Sequence, residues 1–156
     1  MSKIVIIGAG AMGSAFALPC LDNNHDINII GTHLENDFID NLKKHNNLHP
    51  GLNCKIPQEI KIFKFEKFDE LLKSNVDLIV LGISSKGIEW AADQLCRLFN
   101  DTKIPKLLML TKGLSIYNNQ YELLVDKLER LLAEKGIKEV KFDKGPYKYH
   151  GRLKVL

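Results

Sequence analysis

Short apolar runs recur along this chain, and between most of them lie segments with the period of a helix. Lys3–Ile7 (KIVII) is β-branched and unbroken, the pattern of a strand buried on both faces. Gly13–Leu21 is small and apolar and predicts a helix, with Pro19 as a point of kinking. Asp26–Ile30 (DINII) predicts a second strand, ended by Gly31. Leu34–His45 predicts a helix with Leu34, Phe38, Ile39 and Leu42 on one face. The stretch NNLHPGLNCKIPQ, rich in asparagine and proline, predicts a long irregular connection. Ile60–Phe65 (IKIFKF) alternates apolar and basic residues and predicts a half-exposed strand near a sheet edge. Phe68–Lys73 predicts a short helix, and Val76–Ile83 (VDLIVLGI) the most deeply buried strand. Gly87–Phe99 predicts a helix with Trp90, Ala91, Leu95 and Leu98 inward, and Lys106–Leu110 the next strand. Tyr121–Lys135 reads as an amphipathic helix with Leu124, Leu128, Leu131 and Leu132 on one face, capped by Gly136. Val140–Phe142 predicts a sixth strand.

Strands alternating with helices argue for an α/β fold, a doubly wound parallel sheet covered by helices on both faces. The pattern occupies residues 1–142 as one Rossmann-type dinucleotide-binding domain; residues 143–156 form a basic tail. The first strand runs directly into Gly8, Gly10 and Gly13, spaced G-x-G-x-x-G. In this context Gly8 permits the tight turn, Gly10 lets a pyrophosphate approach the backbone, and Gly13 allows close helix–strand packing. The free N–H groups of Ala11 and Met12, backed by the helix dipole, favour phosphate charge.

Composition changes little in this picture. A net charge of +3 is too small to argue for nucleic acid, and no apolar run approaches the roughly 20 residues needed to span a bilayer. Cys20, Cys54 and Cys96 are widely spaced and unpaired in pattern, as expected of reduced thiols in a cytoplasmic protein; no metal site is expected. Elsewhere the candidate chemistry lies at strand ends. After the second strand come Gly31, Thr32 and His33, with Glu35 further on; lacking an acid at the strand end itself, the pattern leaves NAD against NADP open. Ser84 and Ser85, in GISSKG, either face a cofactor or cap the next helix. Lys112, in TKGL, places a cation at the carboxyl end of a strand, suited to a phosphate or a developing oxyanion.

Together, IIGAGAMGSA, the G-T-H turn, LHPGL, LGISSKG and LTKGL resemble the glycerol-3-phosphate dehydrogenases, the bacterial and archaeal enzymes above all. The resemblance covers about residues 1–116, and Gly145-Pro146 echoes a Gly-Pro of that family. It implies binding of NAD or NADP and interconversion of dihydroxyacetone phosphate and glycerol 3-phosphate. It also implies that Ala11, Met12 and Thr32 line the cofactor while Lys112 contacts cofactor and substrate. The family's acid/base lysine and phosphate-binding pair belong to a second, helical domain that this sequence does not include, so no catalytic residue is assigned here. Beyond Gly145-Pro146 the sequence departs from the family and reads YKYHGRLKVL. A truncated or frameshifted product is the favoured explanation, a fragment completed by another chain or a stand-alone protein the others. The chain alone is then expected to bind a dinucleotide and turn over little, and its uncovered crevice face invites self-association as a homo-oligomer. Two other readings stand beside this one: a non-catalytic nucleotide-binding or regulatory module, and a ketopantoate-reductase-like protein, against which Lys112-Gly113 counts.

Overall fold

The computed structural model describes residues 1–100 and 104–137. Strand β1 (Lys3–Ile7) leads into α1 (Ala11–Asp22), followed by β2 (Asp26–Ile30) and α2 (Asn36–Lys44). Two short antiparallel pieces, β3 (Leu48–His49) and β4 (Cys54–Lys55), precede β5 (Lys61–Phe63). Then come α3 (Phe68–Lys73), β6 (Leu78–Leu81), α4 (Ile88–Phe99) and β7 (Lys106–Met109). A hairpin of β8 (Leu114–Tyr117) and β9 (Gln120–Leu123) runs into α5 (Leu124–Glu134).

Five strands form one parallel sheet in the order β5-β2-β1-β6-β7. The chain steps outward from β1 through β2 to β5, then returns to the other side of β1 for β6 and β7. The crevice between the carboxyl ends of β1 and β6 is therefore the topological switch point, where ligands sit in this architecture. Alternation along the strands divides the core. Val5 and Ile7 point with Ile30, Ile79 and Leu81 toward Phe68, Ile88, Leu95 and Leu128 of α3, α4 and α5. Ile4 and Ile6 point with Ile27, Ile29 and Val80 toward Ala17 of α1 and Ile39 and Leu42 of α2. The near-continuous apolar strands follow from burial on both faces.

The structure differs from the sequence reading at three places. Tyr121–Leu123 is strand, not helix: Asn118 and Asn119 both take left-handed φ, 50° and 60°, and close a two-residue turn pairing Tyr117 with Gln120. Helix α5 consequently begins at Leu124, with Leu124, Leu128 and Leu132 buried and the C-terminal Gly136 at φ +94°, as its position suggests. Leu34 is exposed because α2 starts only at Asn36, and its inner face is Ile39 and Leu42. The Asn- and Pro-rich connection contains the β3–β4 pair, shaped by left-handed Asn46, Asn47 and Asn53. The expected strand Val140–Phe142 and the tail 143–156 lie outside the described residues. Among the described residues no helix is long and apolar enough to cross a membrane, no cluster of side chains suits a metal ion, and the three cysteines are free.

Candidate functional site

Strand β1 runs into Gly8, whose φ of +106° is open to glycine at little cost. Its N–H donates to the Ile30 carbonyl at 2.8 Å, tying the turn to β2. A side-chain carbon on Gly8 would lie 2.6 Å from the Gly82 carbonyl oxygen. One on Gly13 would overlap the Gly8 carbonyl, and one on Gly82 would lie 2.8 Å from the Gly13 Cα. These three glycines interlock, so α1 begins in backbone contact with the ends of both β1 and β6. Gly82 was visible in LGISSKG as a strand-end glycine, yet its packing role depends on a strand order the sequence does not state.

Gly10 faces open space, its nearest prospective neighbour being Glu35 Oε1 at 4.0 Å. It is the N-cap of α1 and offers no side-chain cap, and the first turn carries no acidic residue. Intrahelical bonding begins with Ser14 N–H donating to Gly10 O at 3.0 Å. Ala11 and Met12 are exposed. Their N–H groups, orphaned at the helix start, present the positive end of the dipole outward.

At the end of β2, Glu35 turns back over the turn. Its Oε1 accepts from Ala9 N–H at 3.1 Å and its Oε2 from Thr32 N–H at 2.7 Å. An acid therefore does stand at the carboxyl end of β2, correcting the reading that the strand end lacks one. It comes from five positions beyond Ile30, inside a turn closed by Glu35 N–H donating to Thr32 O at 3.0 Å. Sequence spacing hid it because the turn folds it back. His33 is exposed, its ring centroid 5.2 Å from that of Trp90 and 6.1 Å from that of Phe65.

Ser84 and Ser85 are exposed past the end of β6; Ser84 is the N-cap residue of the 3-10 turn Ser85–Gly87, but neither serine side chain makes a capping hydrogen bond to that turn or to α4. Thr111, buried at the end of β7, donates its hydroxyl to the Ile83 carbonyl and ties the two strand ends together. The exposed Lys112 follows, braced by Gly113 at φ +147°, whose carbonyl accepts from Leu124 N–H at 3.1 Å. The structure thus places Gly8, Gly10, Ala11, Met12, Gly13, Thr32, His33, Ser84, Ser85 and Lys112 beyond the carboxyl ends of the parallel strands β1, β2, β6 and β7. Glu35 and Gly82 join them.

A parallel sheet whose switch point carries a glycine turn and an open helix amino terminus defines the class of dinucleotide-binding α/β domains. A family model described as "NAD-dependent glycerol-3-phosphate dehydrogenase N-terminus" matches residues 3–146. The chain belongs to that family. The NADP(+)-dependent glycerol-3-phosphate dehydrogenase of Archaeoglobus fulgidus is 28% identical over 128 residues, 82% of this chain and 36% of that enzyme. The chain therefore spans about a third of the length of this relative. The crystal structure of glycerol-3-phosphate dehydrogenase from Coxiella burnetii shares the fold, with a TM-score of 0.67, 20% identity, and coverage of 89% of this chain and 38% of that one. A likeness of another kind is to the large ribosomal subunit protein uL18 of Thermus thermophilus, 51% identical over 48 residues, 28% of this chain and 42% of that protein. The family match leaves too few residues outside it to hold that stretch, so the two likenesses overlap.

Proposed function

We propose that this chain is the part of a glycerol-3-phosphate dehydrogenase that holds the nicotinamide dinucleotide, NAD or NADP, for exchange of a hydride between dihydroxyacetone phosphate and glycerol 3-phosphate. The observation that carries this is the uncapped amino terminus of α1, set on Gly10 with open space before it at the sheet's switch point. The residues present fit the cofactor: a side chain at Gly10 would fill the approach, and nothing acidic in the first helical turn opposes a pyrophosphate. When bound, the dinucleotide supplies the hydride; the protein supplies binding, orientation and charge. Gly8 and Gly13 set the turn, while the amides of Ala11 and Met12 hold phosphate oxygens. Thr32 and His33 border the adenosine end, and Glu35 has lone pairs left to accept from a ribose hydroxyl, which favours NAD. Ser84 and Ser85 border the cofactor on the β6 side. Lys112 neutralises charge on the cofactor or on the substrate phosphate. A cytoplasmic location accords with three free thiols.

Titration of the 156-residue chain with NADH and NADPH, followed by nicotinamide fluorescence, tests this reading. Saturable binding that Gly10→Asp abolishes supports it. A folded chain that binds neither dinucleotide refutes it.

A second reading follows from the likeness to uL18. We infer that this likeness lies toward the carboxyl end, where the dehydrogenase pattern gives way to the basic YKYHGRLKVL, and that this segment gives the chain some affinity for large ribosomal subunits. Co-sedimentation with purified subunits, salt-sensitive and lost when residues 143–156 are removed, is the expected result; sedimentation unaffected by the removal refutes it.

A further inference from the structure

Between Gly8 and Gly10 lies Ala9, and every polar group of its backbone is engaged by a side chain from elsewhere in the chain. Its N–H donates to Glu35 at 3.1 Å. Its carbonyl accepts from the Ser14 hydroxyl at 3.1 Å and meets His49 Nε2 at 3.2 Å. His49 is only 2% exposed and comes from the β3–β4 connection, forty positions away in sequence. Its other ring nitrogen, Nδ1, lies 3.2 Å from the backbone N–H groups of both Gly51 and Leu52. A nitrogen that accepts from two amides carries no proton, so the proton sits on Nε2 and is donated to Ala9. The ring is held on another side by Phe38 of α2, edge-on with centroids 5.3 Å apart. The loop it anchors lies against the helix start: a side-chain carbon on Gly51 would stand 3.4 Å from the Ala11 Cβ.

We infer that His49 is a positioning residue for the phosphate-binding turn. It fixes the Ala9 carbonyl, and with it the Ala9–Gly10 peptide plane, from behind and thereby sets the direction in which the amides that follow, at Ala11 and Met12, face a bound pyrophosphate. The inference rests on the dinucleotide reading above, and goes beyond it in giving a function to the LHPGL loop.

The experiment uses the whole chain. Long-range 1H–15N correlation spectra of the imidazole should show Nε2 protonated and Nδ1 accepting. His49→Phe keeps the ring's volume and packing but removes donor and acceptor, leaving the Ala9 carbonyl to the Ser14 hydroxyl alone, and should weaken NADH binding roughly tenfold, the scale of one lost buried hydrogen bond. His49→Gln, whose amide can again donate to Ala9, should restore most of the affinity. Restoration by Gln with equal unfolding midpoints for the two variants separates positioning from mere structural support. The opposite tautomer overturns the inference even if His49→Phe does not fold. So does NADH binding by folded His49→Phe within about twofold of the parent, well below the scale of a lost buried hydrogen bond. A parent chain that binds neither dinucleotide overturns the reading beneath the inference and the inference with it, and is told apart because it appears before any substitution.

Discussion

The contact between Gly82 and Gly13 yields the sharpest test of how the turn is built. Gly82→Ala adds one methyl group whose carbon would lie 2.8 Å from the Gly13 Cα and 3.2 Å from its nitrogen. Carbon atoms rest at about 3.5–4.0 Å, so α1 must withdraw from β6 by roughly an ångström, or β6 must bend. Both sides of the contact are backbone, and no flexible side chain can give way. Gly82 does not have the left-handed φ of Gly8, so the new side chain brings no conformational penalty to confuse the result. Overpacking of this kind costs about 1–3 kcal/mol, which for a domain of this size lowers the melting midpoint by about 2–12 °C. Gly10→Ala is the matched control: its methyl group would meet nothing nearer than Glu35 Oε1 at 4.0 Å, and the parent φ is −67°. It should leave the midpoint within about 1–2 °C, as neutral substitutions do, while obstructing phosphate approach. Circular dichroism melts and NADH titrations of both variants make the comparison. Equal midpoints for Gly82→Ala and the parent, or equal losses for the two variants, would refute the interlocked-glycine account.

Three further outcomes are expected. Glu35→Gln removes a negative charge from the adenosine end while keeping an oxygen acceptor, and should raise NADPH affinity relative to NADH by roughly tenfold, the effect of one less repelled 2′-phosphate; an unchanged ratio in paired titrations would mean Glu35 does not face the ribose. Thr111→Val leaves the Ile83 carbonyl without its hydroxyl donor and should cost about 1–3 kcal/mol in urea denaturation, with a loss below about 0.5 kcal/mol arguing that water replaces the bond. Glu122, 15% exposed on β9, accepts from Arg130 of α5 at 3.0 Å, and that guanidinium first, with the Ser115 hydroxyl, holds its carboxyl below the usual glutamate range against the opposing effect of burial. A value lower in the folded chain contributes stability above the unfolded value of about 4.3 and loses it as pH falls through the folded one; melting midpoints should drop more steeply below about pH 4 for the parent than for Glu122→Gln, and parallel curves would contradict this.

The order of strands and helices was legible because buried strands such as KIVII and LIVL are so apolar that no surface assignment suits them. The cofactor turn was legible because three glycines at fixed spacing follow such a strand. What stayed hidden was set by contacts distant in sequence or by local turn chemistry. The apolar positions Leu114, Ile116, Tyr121 and Leu123 lie where a hairpin and a helix start compete, and only the left-handed pair Asn118-Asn119 decides for the hairpin. Two asparagines in succession are a turn signal of known type, but the leucine period that follows them is the stronger pattern. Glu35 escaped because the expected acid is sought at the strand end, whereas here a tight turn carries it back there. His49 escaped because a histidine among asparagines, glycine and proline looks solvated until the loop is seen closed over α1.

Two kinds of restraint thus act on the same turn, and they divide its properties. The inner side is backbone against backbone, Gly8, Gly13 and Gly82, with no room for adjustment. Any side chain there moves the helix, so stability and binding must fall together. The outer side is held by Glu35, Ser14 and His49, each reaching in from a different segment through single hydrogen bonds. Replacing one of these changes where the amides point by a small angle while the packed core, Ile6 and Ile7 among it, stays where it is. Affinity and cofactor preference are therefore adjustable at the outer side wherever the replacement keeps the hydrogen bond, as glutamine does at position 49. It follows that variation among chains of this build should be tolerated at positions 35 and 49 among residues that keep the hydrogen bond to Ala9, and refused at 8, 13 and 82. The refusal is steric and independent of which dinucleotide is bound, whereas the tolerance is chemical and should track it.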